Sequence, residues 1–234
     1  MAPRVPPAIK ELPENAGSRP RLVCATCWRP QSACICQWIT PISHTVEVII
    51  LQHPLEVANA KGSARLLHLS LPRSYLVTGE VFAEHALQAL LTGPLHPQAA
   101  TRSPKHAILL YPDTPSEHAM GVRAIPSPAL LQDPSQLRLI VLDGTWRKSR
   151  RMLYCNPLLQ QLPRLALREP PASQYKIRKA HRPDQLSTLE ATCAALMQLE
   201  GGIERFAPLL TAFNGFVAQQ LGYRTTQRQA LGTD

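Results

Sequence analysis

A short stretch in the middle of the chain combines the residue types of a ligand-binding or catalytic loop. Residues 139–142 are apolar and partly β-branched, and Asp143, Gly144, Thr145 and Trp146 follow them at once. Such an apolar run predicts a strand that is buried on both faces. Ligands of open α/β sheets bind beyond the carboxyl ends of the strands. The carboxylate, the glycine and the hydroxyl therefore stand where a small-molecule site is expected.

The residues after this stretch predict a helix with one basic face. Arg147, Arg150 and Arg151 fall at i, i+3 and i+4, whereas Trp146 and Ser149 fall on another face. The whole chain has a net charge of +9 and a pI near 9.6. A basic face on a basic chain indicates a polyanionic partner, above all nucleic acid. The alternative is an ordinary solvated helix face.

Four cysteines lie within thirteen residues near the N-terminus, as Cys24, Cys27, Cys34 and Cys36. Two close pairs of thiolates suit one tetrahedral Zn²⁺, and four protein ligands leave no open position for catalysis. A structural zinc site is the favoured interpretation, and unligated buried cysteines are the alternative.

Aromatic and basic residues surround these cysteines. Trp28, Arg29 and Trp38 could contact RNA, but packing of the two tryptophans over a metal loop explains them equally well.

The length, composition and motifs of the chain exclude several classes of protein. A chain of 234 residues suits one α/β domain, alone or with a small appendage. It has neither GxGxxG nor a Walker lysine loop, which disfavours Rossmann and P-loop nucleotide enzymes. It also has no apolar run near ~20 residues and no secretory signal, so we expect a cytoplasmic protein without a membrane partner. Residues 1–20 carry five prolines and predict a disordered tail.

Strands alternate with helices along the rest of the chain. We expect strands at 45–51, 74–78, 107–110, 137–142 and 164–167, and helices at 57–71, 81–91, 146–162, after Ser187 and at 203–221. This order predicts an α/β fold whose mostly parallel sheet carries helices on both faces. Ser187 and Glu190 form a capping-box pattern, so Ser187 and Thr188 are explained by helix capping alone. His53 and Glu56 follow the first strand, and His53 is either functional or a loop residue that caps a backbone carbonyl.

In order and spacing these segments resemble the DTW-domain family, which is named for an Asp-x-Thr-Trp motif, here Asp143 to Trp146. The resemblance covers about residues 24–200. It includes the four cysteines, His53-Pro54-Leu55-Glu56, Leu110-Tyr111-Pro112, Tyr175-Lys176-Ile177-Arg178-Lys179 and Leu186-Ser187-Thr188-Leu189-Glu190-Ala191.

The resemblance implies an enzyme that acts on tRNA. The reaction would transfer the 3-amino-3-carboxypropyl group of S-adenosylmethionine to N3 of a uridine, in the variable loop, and release methylthioadenosine. The implied fold is similar to the SPOUT class, with a C-terminal knot. The chain would consist of a zinc-binding segment with the four cysteines at 21–42 and a catalytic domain at 43–225. No obligate protein partner is expected.

The resemblance also suggests roles for individual residues. Asp143 would accept the N3 proton, although a helix N-cap or another structural role is the alternative for it, and Thr145 and Trp146 complete the catalytic motif. The cofactor-binding set is Leu110, Tyr111, Pro112, Leu142, Gly144, Tyr175, Arg178, Leu186, Ser187 and Thr188, with Arg178 on the methionine carboxylate. The tRNA-binding set is Arg147, Arg150, Arg151, Lys176, Lys179 and Arg182.

Three other functions fit the same sequence. A SPOUT-like RNA methyltransferase would use the same cofactor and release adenosylhomocysteine. The same transfer could act on ribosomal RNA. A non-enzymatic, zinc-containing RNA-binding module would need only the cysteines and the positive charge.

Overall fold

The sheet is built around the strand that leads into Asp143. A computed structural model describes residues 22–95, 104–112, 126–127, 129–168, 173 and 186–231. Its strands, in chain order, are β1 (Glu47–Gln52), β2 (Ser74–Thr78), β3 (His106–Leu110), β4 (Leu137–Asp143) and β5 (Arg164–Leu165). They pair in parallel in the order β2-β1-β4-β3-β5, so β4 lies at the centre.

Helices cover both faces of this sheet. They are α1 (Ala64–Ser70), α2 (Glu84–Thr92), α3 (Trp146–Cys155), α4 (Pro157–Gln160), α5 (Thr188–Glu200) and α6 (Ile203–Leu231). Val48 and Val141 pack under α1, α5 and α6, whereas their neighbours Ile49 and Ile140 pack under α2, α3 and α4. Successive strand residues point to opposite faces, so burial of both faces requires the unbroken apolar runs seen in the sequence. The predicted α/β class is confirmed.

The predicted helix at 57–71 is wrong in its first half. The chain forms a short 3-10 helix at Pro54–Glu56, and α1 begins only at Ala64. Between them the Asn59 side chain accepts a hydrogen bond from Lys61 N at 3.0 Å, and its carbonyl accepts one from Gly62 N at 2.8 Å. An asparagine that binds its own backbone in this way competes with the helix.

The predicted helix at 146–162 is two helices that meet at Asn156. The Asn156 side chain donates to the carbonyls of Met152 at 2.6 Å and Glu80 at 2.9 Å, and it accepts from Phe82 N at 2.9 Å. Pro157, which has no N–H and disfavours a helical residue before it, then starts α4. Three bonds from one buried amide thus hold the turn against the loop between β2 and α2.

Parts of the sequence-based expectation lie outside the described residues. The predicted knot depends on the path of residues 169–185, of which only Ser173 is described, and the tail at 1–20 is not described. The knot, the tail and the domain bounds at 21–42 and 43–225 stay predictions. Within the described ranges, no helix has the length and apolarity that a membrane span needs.

A buried arginine holds the amino end of the sheet together. Arg138 in β4 lies beside Glu47 in β1, and its side chain is 1% exposed. The guanidinium donates to Glu47 Oε2 at 2.6 Å and to the carbonyls of Leu90 and Gly93 at 2.6 and 2.9 Å. The bonds satisfy a charge that would otherwise be costly to bury.

We expect Arg138→Met to lower the free energy of unfolding by about 1–3 kcal/mol, because it removes a buried donor to Glu47 and to two carbonyls. Arg73→Met is the matched control, since Arg73 binds the same carboxylate at 3.3 Å through a side chain that is 37% exposed. Exposed pairs contribute about 1 kcal/mol or less. Urea unfolding of both variants measures the difference, and equal costs would contradict this role for Arg138.

Candidate functional site

The carboxyl edge of the sheet, where β1, β3 and β4 end, is organised by the Asp143 side chain. Gln52 and Asp143 are the last paired residues of β1 and β4. Gln52 Nε2 donates to Asp143 Oδ2 at 2.9 Å, and Thr188 Oγ1 donates to Asp143 Oδ1 at 2.7 Å. Asp143 is 5% exposed. One buried carboxylate therefore connects two strands with the first residue of α5.

The start of α5 is fixed independently of Asp143. Ser187 caps the helix, because its hydroxyl accepts from Glu190 N at 3.2 Å while the Glu190 carboxylate accepts from Ser187 N at 2.8 Å. Leu189 N donates to Ser63 Oγ at 3.3 Å, just before α1. The predicted capping box is confirmed, and it places Thr188 within reach of Asp143.

Two aromatic side chains form a wall beside this carboxylate. The rings of Tyr111 and Trp146 stack with centroids 5.1 Å apart at 19°, and the Arg164 guanidinium lies 4.7 Å from the centre of the Tyr111 ring. Tyr111 is buried, whereas Trp146 is 47% exposed. Trp146 is thus the half-exposed member of this wall and not a core residue.

The turn between β4 and α3 is tightly packed. Thr145 caps α3, and its hydroxyl accepts from Lys148 N at 3.4 Å. A Cβ on Gly144 would lie 3.1 Å from Lys148 Cβ and 3.4 Å from Ser149 Oγ. Glycine at this position therefore lets the first turn of α3 approach the strand end.

Ion pairs flank the turn. Lys148 Nζ lies 2.8 Å from Glu56 Oε1, and the other oxygen of Glu56 accepts from Asn59 Nδ2 at 2.7 Å. Glu80 contacts both His53 Nε2 at 3.3 Å and Arg151 Nε at 2.7 Å. His53 Nδ1 also accepts from Leu55 N at 3.1 Å, so His53 caps a backbone N–H, and the predicted cap of a backbone carbonyl is wrong.

The structure brings most of the sequence-predicted site residues to this edge. Leu110 and Leu142 lie at the ends of β3 and β4, and Tyr111 is in the wall. Arg147, Arg150 and Arg151 are exposed on α3. Pro112, Gly144, Leu186, Ser187 and Thr188 lie in the adjoining loops and at the first turn of α5. The remaining predicted residues, Tyr175, Lys176, Arg178, Lys179 and Arg182, lie outside the described residues.

A second site is formed by the four clustered cysteines. All four sulfurs lie within 4.8 Å of one another, with 3.5 Å between Cys24 and Cys36 and 3.7 Å between Cys27 and Cys34. A tetrahedral metal with bonds of about 2.3 Å to sulfur places its ligands roughly 3.8 Å apart. The cluster can therefore hold a metal ion.

The acid–base properties of the cysteines fit a cationic ligand. Hydrogen bonds from the backbone of Cys27 and Thr26 lower the pKa of Cys24 to about 6. Burial and hydrogen bonds with the neighbouring sulfurs raise the pKa of Cys36 to about 12. A bound dication would offset the repulsion among thiolates and favour ionisation of all four.

The cysteine segment, residues 22–42, packs against α6. Trp38 lies over Gly215, where an added Cβ would fall 2.1 Å from the indole ring, and its Nε1 donates to Gln219 Oε1 at 2.6 Å. Gln219 Nε2 donates to the Cys34 carbonyl at 3.0 Å. Cys27 and Ile35 are part of the same apolar core as α5 and α6.

The whole arrangement matches a known family. The family model for the DTW domain covers residues 21–221, from the cysteine segment well into α6. The chain belongs to the DTW-domain family. Its DTW motif is the turn at Asp143 to Trp146, in which the aspartate binds two neighbouring elements, the threonine caps α3 and the tryptophan forms the wall.

Curated members of this family are similar over most of the chain. The chain is 31% identical over 196 residues to tRNA-uridine aminocarboxypropyltransferase 2 of Macaca fascicularis, and 30% identical over 191 residues to the Mus musculus protein of that name. These alignments cover 81% and 80% of the chain, and the chain spans about 60% of the length of those relatives. The Drosophila melanogaster protein of the same name is 28% identical over 211 residues, covering 88% of the chain and 78% of that protein. No solved structure matches significantly.

Several residues of the DTW site were not predicted from the sequence. Gln52, Glu80 and Lys148 bind Asp143, His53 and Glu56, respectively. Each is a common polar residue that belongs to no recognisable sequence motif. The position of Gln52 at the end of a predicted strand was the one available signal, and its partner lies 91 residues away.

We expect Cys27→Ser to lower both the bound metal and the melting temperature, because it removes a buried ligand of the cluster. Elemental analysis should give about one metal ion per wild-type chain and clearly less in the variant. Cys155→Ser is the control, since Cys155 lies in α3 outside the cluster. A variant with undiminished metal content would contradict the ligand role.

Proposed function

We propose that this chain transfers the 3-amino-3-carboxypropyl group of S-adenosylmethionine to N3 of a uridine in tRNA. The names of the similar curated proteins support the reaction and the tRNA substrate. The observation that carries the proposal is the buried Asp143 carboxylate at the carboxyl edge of a parallel sheet, beside an aromatic wall and a basic helix. Ligands of such sheets bind at this edge.

The chemistry is a displacement at carbon. The bond from the sulfonium to the aminocarboxypropyl carbon breaks and leaves its electron pair on sulfur, which yields methylthioadenosine. A bond from N3 to that carbon forms, and the N3 proton must go to a base, because a neutral imide nitrogen is a poor nucleophile. We propose that Asp143 accepts it, and the bonds from Gln52 and Thr188 would hold the carboxylate in position.

S-adenosylmethionine would bind between the strand-end loops. Residues 110–112, 142–146 and 186–188 lie at the end of β3, at the end of β4 and at the start of α5, and the Tyr111–Trp146 stack would offer an apolar wall to the adenine or the sulfonium. Tyr175 and Arg178 would complete the site, with the Arg178 guanidinium on the methionine carboxylate. A SPOUT-like knot between β5 and α5 would carry these two residues to the same edge.

We also propose that the metal of the cysteine segment is zinc and that its role is structural. Four sulfur ligands are the usual set for structural Zn²⁺ and leave no coordination position for a substrate. The segment contains only short 3-10 helices and one isolated bridge between Val23 and Pro30. A segment with so little regular structure gains most from a metal crosslink.

One experiment separates this reaction from its rivals. The purified protein is incubated with S-adenosylmethionine and either tRNA or ribosomal RNA, and nucleosides and by-products are analysed by mass spectrometry. Aminocarboxypropyl-uridine in tRNA together with methylthioadenosine supports the proposal. Adenosylhomocysteine would identify a methyltransferase instead, modified ribosomal RNA alone would change the substrate, and the absence of any product would indicate an RNA-binding module.

We expect Asp143→Asn to reduce turnover by about 10²- to 10⁴-fold, because the amide cannot take up the N3 proton. Single-turnover assays at saturating tRNA and S-adenosylmethionine measure this, and calorimetry measures cofactor affinity separately. Asp133→Asn is the control, since Asp133 caps the 3-10 helix at the other end of β4 and asparagine caps equally well. Wild-type turnover by a folded Asp143→Asn protein would refute the assignment.

We expect replacement of Arg147 and Arg150 by glutamine to weaken tRNA binding and to reduce its salt slope by roughly 1–2. Both residues are exposed on α3, directly after the DTW motif. Arg205→Gln, which alters an ion pair with Glu200 near the amino end of β1, should leave the slope unchanged. Filter binding over a range of salt concentrations provides the measurement, and an unchanged slope in the double variant would contradict the proposed surface.

A further inference from the structure

The two tryptophans of the cysteine segment have opposite surroundings. Trp38 packs against Gly215 and donates to Gln219, which explains it as a structural residue. Trp28 directly follows the ligand Cys27, and it is 71% exposed. Core packing therefore accounts for Trp38 and not for Trp28.

The backbone at Trp28 favours a different residue. Trp28 has a φ of 55°, and it is the one non-glycine residue with positive φ in the described part of the chain. The turn needs this conformation, because Trp28 N donates to the Cys24 carbonyl at 2.9 Å at the end of the Cys24–Cys27 loop. Glycine adopts such a φ without steric cost, whereas a bulky side chain does so against its preference. Strained residues of this kind cluster at functional sites.

Arg65 supports the indole ring from one side. The Arg65 guanidinium carbon lies 4.0 Å from the ring centre, and the same guanidinium donates to the Thr26 carbonyl at 3.0 Å. This bond fixes the cation against the cysteine segment. Because the side chain is still largely exposed, the other face of the ring is open to a planar ligand.

The cysteine segment is bonded to the rim of the Asp143 site. Arg29, the residue after Trp28, donates to the carbonyls of Ala60 at 2.6 Å and Gly62 at 2.9 Å. The next residue, Ser63, accepts from Leu189 N at the first turn of α5. These bonds connect the segment that carries Trp28 with the loop before α1 and with the start of α5.

We propose that Trp28 and Arg65 form a stacking platform for an unpaired base of the RNA substrate, outside the nucleotide that is modified. The proposal rests on the proposed tRNA substrate. An open indole face backed by a guanidinium suits a nucleobase, since base–aromatic stacking tolerates any base and is reinforced by cation–π contact. The net charge of +9 favours a polyanion such as RNA over an apolar protein surface.

The test uses Trp28→Gly in the full-length, metal-loaded protein, because glycine suits the backbone at this position and the variant should fold. We expect its dissociation constant for tRNA to rise roughly 5- to 150-fold, the range of single base-stacking contacts. Trp28→Phe, which keeps an aromatic face, should recover most of the affinity. Metal content, melting temperature and affinity for S-adenosylmethionine should stay at the wild-type level.

Leu22→Ala is the matched control, since Leu22 is an apolar residue of the same segment with 77% exposure. Equal tRNA affinity of wild type and Trp28→Gly, an equal loss in Leu22→Ala, or no affinity of the wild type for tRNA would each overturn the platform. Nucleoside mass spectrometry judges the transfer reaction separately. If tRNA binding depends on Trp28 but no product forms, the platform is supported and the proposed reaction is refuted. If product forms but binding does not depend on Trp28, the reaction is supported and the platform is refuted.

Discussion

The carboxyl edge of this protein depends on one buried carboxylate. Asp143 lies at the end of the central strand, and its two oxygens accept bonds from β1 and from α5. A buried carboxylate requires such donors, because it loses its hydration on folding. The same bonds bring three elements that are distant in sequence to one point. A shift of α5 relative to the sheet would break the Thr188 bond and alter the candidate site at the same time.

The charges around this carboxylate are arranged in local pairs. Lys148 pairs with Glu56, and Arg151 pairs with Glu80, which also contacts His53. These pairs also connect α3 to the loops after β1 and β2. The exposed arginines of α3 therefore give the site its basic character. Lys148 and Arg151 of the same helix form the ion pairs with the loops.

The sequence predicted those features that depend on neighbouring residues. Apolar runs located the five strands, the Ser187–Glu190 pair located the start of α5, and cysteine spacing located a cluster that can hold a metal. It could not predict the bond from Gln52 to Asp143, because that bond depends on strand register across 91 residues. It also failed at 57–63, where the bonds of Asn59 to its own backbone outweigh helix propensity. The pairing of Glu80 with both His53 and Arg151 likewise requires the folded loops.

The cysteine segment presents a different physical question, namely what a bound metal would add to a domain of this size. The sheet and its helices bury enough apolar surface for the fold, so the benefit of a metal crosslink is local. The segment has almost no regular structure, yet Arg29 reaches the 60–62 loop and Trp38 fits against Gly215. A crosslink among four sulfurs would fix both residues on a short loop without a core of its own. The backbone bond from Trp28 N to the Cys24 carbonyl belongs to the same loop and accompanies the positive φ of Trp28.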